Sequence, residues 1–159
     1  MKNAALVLLN LAVLGVYLFA SAESVLAQGD EGVEAKFIAM LKNATLKGSW
    51  APVQGGQLGS ERADSAYRIA RVEKKEDGKW AIVSVFTVQE RQVEYPISAS
   101  VKFAGDTAVL ILNDVKASPG SANWSARILF YDDVYTGRWW ETANKEHGGT
   151  IAGTISRAK

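Results

Sequence analysis

Apolar and polar residues alternate along most of the chain from residue 44 onward. In residues 79–88, for example, Trp80, Ile82 and Phe86 share one face. A period of two places successive side chains on opposite faces of a strand, so such segments are predicted to be half-buried antiparallel strands. The clearest segments of this kind are residues 79–88, 93–103 and 122–131.

Turn-forming residues separate the alternating segments. They are Asp77-Gly78, Gly105-Asp106, Ser118-Pro119-Gly120 and Gly148-Gly149, and such sequences favour tight turns between strands. Eight strands are predicted, near residues 44–53, 64–75, 79–89, 92–103, 106–115, 122–132, 134–140 and 150–157. Closing into a barrel removes the unpaired edges of such a sheet. The predicted fold is therefore all-β, a single antiparallel up-and-down barrel of about eight strands.

A helical period precedes the strands. Val33, Phe37, Met40 and Leu41 have the spacing of one face of a helix. One short N-terminal α-helix is therefore predicted at about residues 32–43, at the start of a single domain that covers residues 28–159.

The first 27 residues have the pattern of an export signal. Lys2 precedes an apolar run over residues 4–20, and small residues follow. This order is typical of a secretory signal peptide. Cleavage is predicted after Ala27 or, alternatively, after Ala22, and the mature protein is expected in a periplasm or outside the cell, without a membrane span. The run also reaches the minimum length of a span, about 17 residues, so an uncleaved anchor is the alternative.

The composition restricts the chemistry that is available. The chain of 159 residues has 18 Lys+Arg against 17 Asp+Glu, a formal net charge of +1, and no cysteine. The balanced charge argues against a nucleic-acid partner, because such proteins usually carry a basic excess or a basic face. The lack of cysteine excludes disulfides, thiolate metal ligands and a cysteine nucleophile.

Two short motifs resemble the calycin group, which includes the lipocalins. In that group a helix leads into a first strand with Gly-x-Trp, and a basic residue near the end of the last strand packs over the tryptophan. Here Gly48-Ser49-Trp50 follows the predicted helix, and Arg157 lies at the end of the last predicted strand. The resemblance implies a barrel whose structural closure uses Gly48, Trp50 and Arg157. In calycins small apolar ligands bind inside, so the resemblance implies either a hollow barrel that holds such a ligand or a barrel with a filled interior.

A second resemblance covers most of the domain. The chain is similar to an uncharacterised family of small exported bacterial proteins, and the resemblance implies export but no particular activity. The segments that carry it are residues 46–50, 67–74, 102–107, 135–139, 147–149 and 153–155.

Aromatic residues on the predicted inward faces are the candidates for ligand contacts. Trp50 either lines a cavity or plugs one end of the barrel beneath Arg157, and the plug is favoured because an arginine over a tryptophan face is a common closure. Trp139 and Trp140 are adjacent in a strand and must point to opposite faces. If Trp139 points inward, Trp140 is either an outer contact site or a residue shielded by the helix. The predicted ligand-binding residues are Trp50, Trp80, Phe86, Tyr135 and Trp139.

Polar groups give weaker signals. His147 is the only histidine, and it is interpreted as part of a solvated hairpin loop rather than as a metal ligand, because a site with one histidine needs several further ligands. No metal site and no cofactor are predicted. A hydrolase or lyase at the barrel mouth would use Tyr135, Asp133 and His147.

The leading functional hypothesis is an exported, non-enzymatic β-barrel. It binds a small apolar or amphipathic ligand, or it acts as an interaction module in the cell envelope. The alternatives are the hydrolase or lyase and a proteinase inhibitor that inserts residues 28–32. The sequence does not identify a protein partner.

Overall fold

The structure, a computed structural model, describes residues 31–63, 66–116 and 120–157. The predicted signal segment and most of the predicted inhibitory segment lie outside these residues. The chain divides into two compact units, Met1–Ala35 and Lys36–Lys159. Residues 31–41 form a helix, α1. In the first unit the structure describes only residues 31–35 of this helix, and all that follows concerns the second unit.

Ten strands follow the helix. They are β1 (Ala44–Gln54), β2 (Gln57–Leu58), β3 (Arg62–Ala63), β4 (Tyr67–Lys74), β5 (Trp80–Val88), β6 (Arg91–Ala104), β7 (Thr107–Lys116), β8 (Asn123–Tyr131), β9 (Val134–Glu141) and β10 (Asn144–Arg157). From β4 to β10 each strand pairs antiparallel with the next, and β10 pairs with β1. The predicted fold class is confirmed, because the eight long strands close into one antiparallel barrel.

The two short strands belong to the wall beside β1. Val53 pairs with Leu58 of β2, Trp50 with Arg62 of β3 and Ala44 with Ile69 of β4. All three strands run antiparallel to β1, and the register moves by one residue at each interruption. They therefore form one interrupted strand along β1, which the sequence predicts only from residue 64.

The second half of α1 fills one end of the barrel. Phe37 and Leu41 are four residues apart on one helix face, and each is only 1% exposed. The Phe37 ring meets the rings of Trp80, Phe103 and Phe130 edge-on, at centroid distances of 5.7, 6.1 and 5.8 Å. Edge-to-face pairs of this kind stabilise a core beyond the area that they bury. This end of the barrel is called the helix end below.

The helix stops where the chain turns into β1. Asn43 has a positive φ of 52°, a left-handed conformation that asparagine tolerates better than most residues. Its N–H donates to the carbonyl oxygen of Ala70 in β4, at 3.0 Å. The predicted helix is confirmed within two residues at its end, and this turn directs Phe37 and Leu41 into the barrel.

A glycine pair makes the closure of the barrel possible. Gly48 of β1 lies opposite Gly153 of β10. A Cβ at Gly48 would overlap the carbonyl oxygen of Ala152, and a Cβ at Gly153 would overlap that of Lys47 and touch the Tyr135 hydroxyl at 2.7 Å. The two backbones approach too closely for side chains, so glycine at both positions is a requirement of the fold.

The last strand begins earlier in the chain than the sequence predicts. The pattern predicts a loop between strands at 134–140 and 150–157, but β9 runs to Glu141 and β10 begins at Asn144. The glycines misled the interpretation, because Gly148 and Gly149 are buried strand residues rather than turn residues. A Cβ at Gly149 would overlap the carbonyl oxygen of Ala51 and would lie 3.3 Å from the Trp50 ring. These glycines serve close packing between strands.

Candidate functional site

The end of the barrel opposite α1 carries a row of three tryptophans. Trp50, Trp124 and Trp139 occupy inward positions of β1, β8 and β9. The rings of Trp50 and Trp139 are 5.7 Å apart, and those of Trp139 and Trp124 are 5.2 Å apart. We call these three residues the tryptophan row and this end of the barrel the tryptophan end. All three side chains are half-buried, so each keeps part of its surface in contact with solvent.

An arginine covers one end of the row. The guanidinium carbon of Arg62 lies 5.1 Å from the centre of the Trp50 ring. The geometry follows from strand pairing, because Arg62 of β3 is directly opposite Trp50 of β1. A cation at this distance is attracted by the negative face of the indole. The arginine itself remains exposed, and its N–H groups can reach a bound molecule.

A histidine and a glutamate lie at the other end of the row. The His147 ring is 5.6 Å from the Trp124 ring, and its Nδ1 lies 2.6 Å from Oε2 of Glu141. The two side chains are 63% and 27% exposed. Trp139 lies two residues before Glu141 in β9, so the two side chains point to the same face of the strand. The row is therefore flanked by a donor at Arg62 and by an acceptor and a histidine at Glu141 and His147.

A β-bulge places His147. Asn144 pairs with Glu141, and the next pair is Gly148 with Trp140, so residues 145–147 have no partners opposite them in β9. A bulge changes the direction of the side chains it contains, and bulges are common beside functional sites. The N–H of Gly55, in the β1–β2 turn, donates to Oε2 of Glu146 at 3.2 Å. This bond ties the bulge to the neighbouring turn.

A second bulge lies at the same end, in β7. The register shifts between Leu112 and Val115, where Asp114 has a φ of 54°. The N–H of Asp114 donates to Oγ of Ser125 at 3.1 Å, and the Asn123 side chain donates to the Asp114 carboxylate at 3.1 Å. These side-chain hydrogen bonds replace the backbone hydrogen bonds between β7 and β8 that the register shift interrupts. Both bulges therefore belong to the frame of the tryptophan end.

The five predicted ligand-binding residues lie in three different places. Trp50 and Trp139 meet in the tryptophan row. Trp80 and Tyr135 are each 3% exposed in the core near the helix end, where Tyr135 stacks on Phe130 at 6.2 Å. Phe86 is half-buried and contacts Tyr95 at 6.2 Å. The structure therefore brings Trp50 and Trp139 together and leaves Trp80 and Tyr135 as packing residues of the core.

Trp50 and Arg157, which were expected to pack together and close the barrel, are separated along the length of β1. Arg157 pairs with Ala44, at the start of β1, whereas Trp50 lies further along that strand. The Arg157 guanidinium donates to the Asp133 carboxylate at 2.7 Å and to the carbonyl oxygen of Met40 at 3.3 Å. It therefore ties the end of α1 to the β8–β9 turn. The arginine over Trp50 is Arg62 instead, because β3 runs beside Trp50 and the end of β10 does not.

The three residues considered for hydrolysis do not converge. Asp133 lies in the β8–β9 turn at the helix end and binds Arg157. Tyr135 is opposite Gly153 of β10, while His147 lies six residues earlier in that strand, at the tryptophan end. At a rise of about 3.3 Å per residue this separation is roughly 20 Å. No single substrate atom can contact all three side chains.

Sequence reasoning did not assign three residues of the site. The alternation over residues 122–131 places Trp124 on the inward face, but it does not identify the residue that Trp124 contacts. Glu141 was included in the supposed loop, and Arg62 precedes the first residue of its predicted strand. The sequence did contain a signal for Glu141. If the alternation of β9 is continued two residues beyond Trp139, Glu141 falls on the same face as Trp139.

Trp139 and Trp140 point to opposite faces, as the strand pattern predicts. Trp140 lies on the outer face and is half-buried, with the guanidinium carbon of Arg127 5.5 Å from its ring centre. The Arg127 guanidinium also donates to the carbonyl oxygens of Leu112 and Ala126, at 2.9 and 2.7 Å. Arg127 therefore covers Trp140 on the outer wall. Trp140 is the same residue type as the inward Trp139, on the opposite face of the same strand.

Other features of the described residues do not form a second site of this kind. A groove of about 610 Å³ is lined by residues 43–45, at the start of β1, and by residues of β4, β5 and β6, among them Arg68, Val85 and Glu94, but Glu94 is already paired with Arg71. Within residues 31–63, 66–116 and 120–157, acidic and histidine side chains do not gather into a group that could hold a metal ion. In the same ranges no helix has the length and apolarity needed to span a membrane.

Comparison with known proteins found no family model and no curated protein that matches this chain. The function is therefore inferred from the fold and from the geometry of the tryptophan end.

Proposed function

We propose that the protein is an exported, non-enzymatic barrel that binds a small amphipathic molecule at the tryptophan end. The observation that carries the proposal is the row of three half-buried indoles with polar groups at both of its ends. Binding sites typically combine an aromatic surface with a few polar groups that fix the orientation of the ligand. Indole rings suit this role because they are large, rigid and partly polar.

The filled helix end supports this placement of the ligand. Phe37, Trp80, Phe103 and Phe130 occupy the barrel there in mutual contact. A ligand that enters from that side would have to displace α1 and its buried Phe37 and Leu41. At the tryptophan end, by contrast, the three indole side chains of the row are half-buried and keep part of their surface in contact with solvent.

The sequence supports export and a relationship to calycins. Residues 1–27 have the order of a secretory signal, and the closed barrel of eight strands is compatible with the calycin-like fold implied by Gly48-Ser49-Trp50. N-terminal sequencing of the protein recovered from the periplasm or the medium tests the export. We expect a mature chain that starts at Gln28 or Glu23, and recovery of the intact chain in the membrane would contradict the proposal.

The binding test uses 8-anilinonaphthalene-1-sulfonate, a small amphipathic probe whose fluorescence rises on binding. We expect saturable binding with one probe per chain. The Trp139→Leu variant should weaken it about tenfold or more, because a central aromatic anchor accounts for much of the binding free energy. Trp140→Leu is the matched control, since it removes the same ring from the outer face of the same strand.

The result distinguishes binding of a small ligand from a role as an interaction module of the cell envelope. Equal probe binding by both variants, or no saturable binding by the folded wild-type protein, would overturn binding at the tryptophan row. The interaction module of the cell envelope then becomes the remaining function, because exposed tryptophans are also enriched in protein interfaces. Circular dichroism of each variant shows whether the barrel has stayed folded.

A further inference from the structure

We propose that the ligand of the tryptophan row is a neutral saccharide. This inference rests on the proposed function, because it names the chemical class of the molecule bound at the same site. A sugar ring has faces made of C–H groups and an edge of hydroxyl groups. Neighbouring rings of the row meet edge to face, at interplanar angles of 62° and 65°, so the row offers separate indole surfaces for the C–H groups and polar side chains at its ends for the hydroxyls.

The depth of the site argues against a long apolar chain. Such a ligand needs a tunnel that removes it from water along its length. The aromatic cluster around Phe37 fills the helix end, and Trp139 makes ring contacts with both Trp50 and Trp124 across the tryptophan end. Buried side chains of the core, among them Leu46, Ile82, Leu110 and Ile151, occupy the barrel between the two ends, so a ligand is left with the solvent-facing part of the row. A ring that stacks on this surface from outside fits it, whereas a chain that must be enclosed does not.

The charges of the site favour a neutral ligand. Arg62 supplies one positive charge at the Trp50 end, and Glu141 supplies one negative charge at the Trp124 end. The Glu146 carboxylate on the β10 bulge is already bonded to the N–H of Gly55. An anion would be attracted by Arg62 and repelled by Glu141. A cation would be repelled by Arg62 and attracted by Glu141. Saccharide hydroxyls both donate and accept, so they can bind the guanidinium at one end and the carboxylate and imidazole at the other.

The site is organised before a ligand arrives. The two backbones pass close beneath Trp50 because Gly149 has no side chain. The β10 bulge holds His147 against Trp124 and Glu141, and Glu146 fastens that bulge to Gly55. A fixed aromatic surface loses little conformational entropy on binding, which matters for a ligand that forms weak individual contacts.

The experiment observes the five indole N–H groups by nuclear magnetic resonance. The ¹⁵N-labelled exported protein is titrated with maltotetraose, cellotetraose and chitotetraose, each to about 10 mM, which is ten times a Kd of about 1 mM. At least one tetrasaccharide should shift the indole signals of Trp50, Trp124 and Trp139. The signals of Trp80, in the core, and of Trp140, on the outer wall, should stay unchanged.

Variants test the polar end of the row. Glu141→Leu should lower saccharide affinity about tenfold, the effect of losing a hydrogen bond to a charged group. Glu141→Gln keeps an acceptor without the charge and should retain affinity within about threefold of wild type, because the ligand is neutral. Glu76→Leu, in the exposed β4–β5 turn, is the matched control and should have no effect on affinity.

Dodecanoate and the anilinonaphthalene probe distinguish failure of this inference from failure of the proposed function. If either compound shifts the signals of the tryptophan row while no tetrasaccharide does, the saccharide assignment is overturned and ligand binding at this end stands. If none of the compounds shifts those signals, both proposals fail. A saccharide that shifts the Trp140 signal instead would also overturn the assignment.

Discussion

Arg71 connects two strands that are not neighbours in the sheet. It lies on the outer face of β4, and its guanidinium is paired with Glu94 of β6 and with Glu73 of its own strand. The pair with Glu94 crosses β5, where Val83 is opposite Arg71 and is only 2% exposed. The aliphatic parts of such charged side chains can cover apolar surface. This network explains how an outward valine is shielded from water.

The network predicts a pH dependence at Glu73. Hydrogen bonds from Lys75 and then from Arg71 lower the pKa of its carboxyl below the ordinary value. A lowered pKa stabilises the fold above the ordinary range of a glutamate, about 4.3, and this contribution is lost as the pH falls through the folded-state value. Glu73→Gln should therefore lower the melting temperature at pH 7 and change it less at pH 3.

Thermal melts at the two pH values measure this effect. Glu76→Gln removes the same charge from the neighbouring turn and serves as the control. An equal loss for Glu73→Gln at pH 7 and at pH 3 would contradict the assigned role of the carboxylate.

The β5–β6 hairpin has an unfavourable turn sequence. Its two turn residues, Gln89 and Glu90, have φ values of 47° and 66°. A two-residue hairpin turn with both φ values positive normally uses asparagine, aspartate or glycine, because longer side chains are strained there. The β1–β2 hairpin meets the same demand with Gly55 and Gly56, at 57° and 77°. The backbone strain at Gln89 and Glu90 therefore comes from the residue types at these positions, because the same kind of turn is unstrained where glycine occupies it.

Glu90→Gly is expected to raise the free energy of unfolding by about 1 kcal/mol, because glycine adopts this conformation without strain. The measurement is the urea denaturation midpoint. Lys102→Gly, in the interior of β6, is the control and should destabilise the barrel by about 0.5–1 kcal/mol. A loss of stability in Glu90→Gly would show that the Glu90 side chain contributes more than its backbone strain costs.

At the scale of elements, the alternation of side chains predicts most of the barrel. The strands β5 to β8 begin and end within two residues of their predicted limits, because a half-buried strand must alternate. The pattern fails where glycine has another role. Gly148 and Gly149 lie within β10 since neighbouring backbones leave no room for a Cβ, and a single sequence does not distinguish this from a turn.

Closure of the whole barrel depends on the smallest residue in its first strand. A Cβ at Gly48 would overlap the backbone of Ala152, and no side-chain rotation relieves that overlap. Gly48→Ala should therefore push β1 from β10 and lower the free energy of unfolding by about 3 kcal/mol, the upper range for overpacking. Urea denaturation measures the loss.

Lys47→Ala, one residue earlier and exposed, should remain within about 0.5 kcal/mol of wild type. If Gly48→Ala were as stable as this control, the closure would tolerate a wider separation of the two strands than the structure has.

The tryptophan row is a property of the whole molecule, which is why the sequence predicts its members only in part. Strand alternation places Trp50, Trp124 and Trp139 on inward faces. Their contact crosses β10, which lies between β1 and β9 and carries Gly149 opposite Trp139 and Ile151 opposite Trp50. The partner of Trp50 likewise depends on the interrupted strand that brings Arg62 beside it. Local pattern gives the direction of a side chain, but the closure of the sheet decides which side chains meet.

The pairing of β1 with β10 also sets the order of assembly. These strands are the first and last of the barrel, and they pair over nine positions from Ala44 with Arg157 to Pro52 with Gly149. This seam joins the most distant parts of the domain, so it has to wait until the intervening hairpins exist. Folds dominated by such long-range contacts fold slowly, in about milliseconds to seconds. Until the seam forms, each nascent chain exposes two open strand edges that can pair with those of another copy.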